Sequence, residues 1–212
     1  MPDPHSAIEA LQRLREGNAR FASGERARDH ALEHLKRKDL VADQAPFAIV
    51  LGCSDSRVPA EMVFDQGLGD LFVIRVAGNI VAPSQVGSIE FAAERFGVRL
   101  VLVLGHSQCG AVQAALEEFE QPSEEGSPNL GFIVRSILPG VQSAVARVGL
   151  GDRVRLAQCA VRENISVSAR HLRQGSEVLE RLIADNGLLV VGAEYSLETG
   201  IVDFFDGVPA GD

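Results

Sequence analysis

The chain has 212 residues, 46% hydrophobic and 23% charged, the composition of a water-soluble globular domain with a sizeable core. Its formal net charge of -9 argues against a nucleic-acid partner, and its one basic cluster, Lys36-Arg37-Lys38, is short. No apolar run is long enough to span a bilayer, which excludes a helical membrane span.

Met1-Pro2-Asp3-Pro4-His5 has neither the basic nor the apolar region of a signal peptide, and three cysteines do not make a disulfide framework. Both features predict a protein of the reducing cytoplasm. In chain order, Ile8, Leu11, Leu14, Asn18 and Phe21 recur at helical spacing, predicting an amphipathic helix over Ser6–Ser23 that stops at Gly24. A second helix is expected over about Asp29–Val41, so that residues 1–43 form an N-terminal helical arm. Apolar runs at about Phe47–Leu51, Leu71–Arg75 and Arg99–Gly105 predict buried strands, with a helix near Ser84–Phe96 between the last two. Gly110–Phe119 continues as a helix, and the acidic stretch Glu117–Gly131, with Pro122, Gly126 and Pro128, reads as a surface loop.

Helical runs follow at Phe132–Val148 and about Arg153–Arg173, and Ser176 caps a short helix to Ala184. Asn186-Gly187 turns into a strand at Leu188–Ala193, and Glu198-Thr199-Gly200 turns into an antiparallel edge strand at Ile201–Phe205. There is no internal repeat and no linker, so 1–212 reads as one domain. The fold class is α/β, with a central mostly parallel sheet, an antiparallel edge strand and flanking helices.

Two motifs follow the first and third strands: Cys53-Ser54-Asp55-Ser56-Arg57 and His106-Ser107-Gln108-Cys109-Gly110. Parallel neighbouring strands end on one edge of a sheet, so these loops meet if the strands pair. Two thiols and an imidazole form a ligand set suited to zinc, and three protein ligands leave a fourth position for water or a carboxylate. The alternative is two unrelated core thiols, one per loop. Asp55 can point at the metal with Arg57 clamping it as a forked ion pair; a turn-forming Ser-Asp-Ser beside a surface arginine is the plainer reading. Zinc with two thiolates is about neutral overall, so it acidifies bound water less than an all-histidine site, and Asp55 is the group placed to help.

The paired motifs resemble those of the β-class carbonic anhydrases, and the likeness runs over nearly the whole chain, to the Tyr195–Phe205 hairpin. The resemblance implies that Cys53, His106 and Cys109 bind one zinc ion per chain, with Asp55 and Arg57 as a catalytic dyad. It implies a zinc lyase (carbonate dehydratase) that hydrates carbon dioxide reversibly to bicarbonate and a proton by attack of a zinc-bound hydroxide. Gln44 stands where a glutamine hydrogen-bonds substrate, Phe72 and Ala77 where apolar residues line the cleft, and Gly110 directly after the last ligand. Phe91 stands where an aromatic residue crosses from the partner subunit. A homodimer or tetramer is implied, with the N-terminal helix packed across the partner.

One departure matters. Relatives with a regulatory bicarbonate pocket carry a tryptophan three residues before the first ligand; here that residue is Val50, and the chain has no tryptophan. Arg75 and Tyr195, also part of that pocket, are present. An open site is therefore expected, although Asp55 can also take the fourth position in a closed state. The rivals are a carbon disulfide or carbonyl sulfide hydrolase and a non-catalytic zinc protein that senses bicarbonate; the Asp55–Arg57 pair argues against the second. Cys159 reads as an inert helical thiol, His30 and His34 as a solvated helix face, and Gly67-Leu68-Gly69 as a turn.

Overall fold

A computed structural model describes residues 6–25, 40–41, 43–122 and 127–209. The second arm helix, the basic cluster and the His30/His34 pair fall almost entirely outside the described residues. Ala48–Gly52 (β1), Leu71–Arg75 (β2), Leu100–His106 (β3), Leu189–Tyr195 (β4) and Val202–Asp206 (β5) form one sheet in the order β2-β1-β3-β4-β5. All pairs are parallel except β4 with β5, as the sequence predicts. Every residue of β1 and β3 is buried, which is why both read as continuous apolar runs rather than alternating ones.

Side chains alternate between two cores. Ile49, Leu51, Val101 and Val103 pack on the face covered by Pro83–Arg95 (α3), Gly110–Glu120 (α4), Pro128–Val148 (α5), Arg153–Gln174 (α6) and Glu177–Asn186 (α7). Ala48, Val50, Leu100, Leu102 and Leu104 face Ala7–Ser23 (α1) and the single turn Ala60–Val63 (α2), which the sequence reading did not foresee. Ser6 and Glu9 close a capping box at the start of α1, and Gly24 ends it in the left-handed conformation. Leu11 and Leu14 are fully buried on the chain's own sheet. Asn18 adds a polar clasp: its amide donates to the carbonyls of Val63 and Gly200, and its oxygen accepts from Val202 N–H at 2.8 Å. So one face of α1 is seated against this chain.

The acidic loop is shorter than Glu117–Gly131. Helix α4 runs on to Glu120, and α5 begins at Pro128 because proline at the first helical position sacrifices no intrahelical bond and Ser127 caps the turn. No described helix is long and apolar enough to cross a membrane.

Candidate metal centre and cleft

Strand register brings the two motifs together. Gly52 pairs with Leu104, so Cys53 leaves β1 beside the end of β3, whose last residue is His106. After Ser107, Gln108 adopts a left-handed φ of 55°, turning the chain so that Cys109 becomes the N-cap of α4. Cys53, His106 and Cys109 are all buried, and their ligand atoms lie within 4.8 Å of one another. The sulfurs are 4.0 Å apart. Two thiolates at tetrahedral angle on zinc are about 3.8 Å apart, given bonds near 2.3 Å. His106 Nδ1 meets the Ser107 carbonyl at 2.9 Å, so it carries the proton and leaves Nε2 as a lone pair. That Nε2 is wholly buried and has no hydrogen-bond partner. A buried acceptor of this kind beside two thiols fits a tetrahedral cation of the zinc type.

Asp55 stands outside this three-residue cluster, its Oδ2 3.8 Å from His106 Nε2. Arg57 grips it as a fork, Nε to Oδ1 at 2.9 Å and Nη2 to Oδ2 at 2.8 Å, and the Arg57 N–H adds a third bond to Oδ1. These bonds hold the Asp55 carboxyl well below the usual carboxylate range, against a smaller opposing effect of burial. Two sulfurs this close do not both ionise unaided. A hydrogen bond with Cys109 pulls Cys53 down to about 4 against its burial, and the same contact pushes Cys109 up. Burial disfavours charge on His106 but is outweighed by the adjacent Cys53 sulfur, the Ser107 carbonyl and the Asp55 carboxylate, so its pKa is raised.

Two contributors to the metal centre have no such role in the sequence reading. Arg75, at the end of β2, donates from Nε to the Cys53 carbonyl at 2.9 Å and from Nη2 to the Asp55 carbonyl, pinning the first motif from behind. Gly78 donates its N–H to Cys53 Sγ at 3.3 Å from a short 3-10 turn, Ala77–Asn79. The Gly-Asn pair there is a turn signal that marks the spot, but nothing local ties it to a thiol.

The cleft residues are only partly gathered. Ala77 adjoins Gly78, and Gly110 follows Cys109 with open space where a Cβ would stand. Phe72 on β2 and Phe91 on α3 lie 6.4 Å apart between ring centres, with Phe96 packed on both. Phe91 is 54% exposed. Gln44 is exposed ahead of β1, and no hydrogen bond among the described residues joins it to the dyad or the donor cluster.

Comparison with known proteins gives one consistent result. Residues 48–202 match the family model described as carbonic anhydrase. The chain is 38% identical over 197 residues to carbonic anhydrase 2 of Mycobacterium tuberculosis, covering 91% of this chain and 90% of that one. Among solved structures it resembles the β-carbonic anhydrase CafA of Aspergillus fumigatus, at 26% identity and TM-score 0.73, covering 91% and 88% of the two chains. It also resembles tetrameric β-carbonic anhydrases from Sordaria macrospora, at 25% identity and TM-score 0.70, covering 90% and 93%.

Proposed function

This chain belongs to the β-class carbonic anhydrase family, and we propose that it hydrates carbon dioxide reversibly to bicarbonate and a proton, using one zinc ion held by Cys53, His106 and Cys109. The observation that carries this reading is the buried donor cluster with its orphaned ring nitrogen, set beside the forked Asp55–Arg57 pair. Zinc, when bound, supplies the Lewis acidity that makes water nucleophilic near neutral pH.

The chain's own groups do the rest. Asp55 is too acidic to hold a proton at neutral pH, so it orients rather than abstracts: it accepts a hydrogen bond from the attacking water and fixes its lone pair toward the substrate carbon. Arg57 keeps that carboxylate ionised and in one rotamer, and the proton passes to buffer. Phe72, Ala77 and Phe91 offer an apolar wall to a substrate without charge, and the Gln44 amide donates to one of its oxygens. Gly110 opens α4, whose first N–H groups have no intrahelical partner and favour the anionic product. With both oxygens of Asp55 engaged by Arg57, the carboxylate is held beside the donor cluster, and Cys53, His106 and Cys109 would hold the metal. The exposed ring of Phe91 and the unpaired edge of β2 support assembly as a homodimer or tetramer with the cleft at an interface. Free thiol ligands suit the reducing cytoplasm.

Stopped-flow hydration of carbon dioxide by zinc-loaded protein, at mildly acidic and at alkaline pH, tests the reading. Turnover that rises with pH is expected. No turnover at either pH, with one zinc per chain, overturns it.

A further inference from the structure

Behind Cys53 the core contains a polar knot that packing alone does not call for. Asn164 and Ser168, one turn apart on α6, are 1% and 4% exposed. Asn164 Nδ2 donates to the Gly78 carbonyl at 2.8 Å, and Ser168 Oγ donates to the Asn79 carbonyl at 3.0 Å. Gly78 and Asn79 are consecutive left-handed residues, at φ 69° and 44°, and Asn79 is one of three such non-glycine residues among those described. A buried asparagine in that conformation persists only where its surroundings hold it.

The hold is costly. Asn164 Oδ1 and Asn79 Nδ2 are both buried without a hydrogen-bond partner, and an apolar side chain at 164 would only exchange the first orphan for another, the Gly78 carbonyl. The same two residues are also closely approached by backbone, at Gly140 and at Gly105. A Cβ on Gly140 would stand 2.8 Å from the Asn164 nitrogen, and one on Gly105 would stand 3.3 Å from Asn79 Oδ1 and 2.5 Å from Ile165. What the knot holds in place is the Gly78 N–H, aimed at Cys53 Sγ.

We infer that Asn164, seconded by Ser168, is a positioning residue for the metal centre, clamping the Gly78–Asn79 turn so that the Gly78 N–H stays on the Cys53 sulfur. This rests on the reading that Cys53 ligates the metal. An N–H bond to a thiolate ligand draws charge off the sulfur and fixes its direction, and losing such outer partners costs about 10–100-fold in metal affinity.

The test uses the full chain loaded with cobalt(II), whose thiolate-to-metal absorption reports the sulfur's electron density, and zinc-loaded protein challenged with a chelator. Asn164→Leu keeps the branched shape, at a larger volume, and removes the donor. It should move the thiolate band and speed zinc release at least about 10-fold, the lower end of the range for outer partners. Ser168→Ala, a milder change that keeps the experiment decisive if Asn164→Leu does not fold, should move the band the same way by less. Leu179→Ala, in the core but away from the turn, should leave the band in place even as it lowers the melting temperature. A band and a release rate unchanged in folded Asn164→Leu, or in Ser168→Ala where the first does not fold, overturn the inference. Wild-type protein with no thiolate band overturns the metal assignment itself, a different failure.

Discussion

Gly140→Ala sets two opposing effects against each other at one carbon atom. Gly140 lies where α5 crosses α6, and a methyl there would stand 2.8 Å from the Asn164 nitrogen, 2.9 Å from its Cα and 3.2 Å from the Glu163 carbonyl carbon. These are backbone atoms, so no rotamer change relieves them. Carbon contacts settle near 3.5–4.0 Å, so the helices must part by roughly 0.5–1 Å. Overpacking of this kind costs about 1–3 kcal/mol. In the other direction alanine is a better helix former than glycine by about 0.8–1 kcal/mol. Because the atoms met are backbone, the cost falls in the upper part of that range, about 2–3 kcal/mol, so the clash wins by about 1–2 kcal/mol, and a domain of this size then melts roughly 2–8 °C lower. Gly87→Ala is the control: it lies inside α3 with nothing within 4 Å of its Cβ, so only the propensity gain remains. It should melt about 1–4 °C higher. Melts are compared at one protein and one zinc concentration, since both shift the midpoint. A Gly140→Ala protein that melts at or above wild type would refute the close crossing.

Asp55→Ala should keep one metal per chain and lose about 10²–10⁴-fold in kcat, the range for a group acting on a proton of the nucleophile, while Cys53→Ala should lose the metal; metal analysis beside stopped-flow rates separates the two, and full activity in Asp55→Ala defeats the dyad. Glu194, whose partner Arg162 also serves Asp203, is pushed up in pKa by burial. The folded chain therefore keeps a proton the unfolded chain has already released, and stability falls as pH rises through the unfolded value toward the folded one. Glu194→Gln should accordingly gain on wild type in melting temperature as pH rises above about 4, the unfolded value, and a difference that does not change with pH refutes this. Phe91→Ser removes an exposed ring and should shift the sedimentation profile toward smaller species, whereas an unchanged profile removes the aromatic face from the assembly.

What the sequence disclosed is what local pattern encodes. Fully buried strands leave unbroken apolar runs, so β1 and β3 and the motifs behind them were legible, as was the cap Ser176. The start of α5 is hidden because Pro128 reads as a break in a loop-like stretch, whereas it sits at the first helical position, which favours proline. Asn164 and Ser168 carry no local signal: on a helix they look like polar residues of a solvated face, and only the packing of α6 on the turn before α3 shows what they touch. Gln44 and Phe91 are both exposed on the single chain, and the roles given to them come from the resemblance alone.

Because the first four strands of the sheet run the same way, the sheet has a chemical rim and a mute one. The motifs leave from the carboxyl ends of β1 and β3, and Arg75 from that of β2. At the opposite rim lie the turns that feed the strands, among them Asn186-Gly187, where Gly187 is left-handed with open space around it. Such a turn is a natural anchorage: a tether or an inserted tag spliced there would fasten the protein to a support with its reactive edge turned outward, away from the surface.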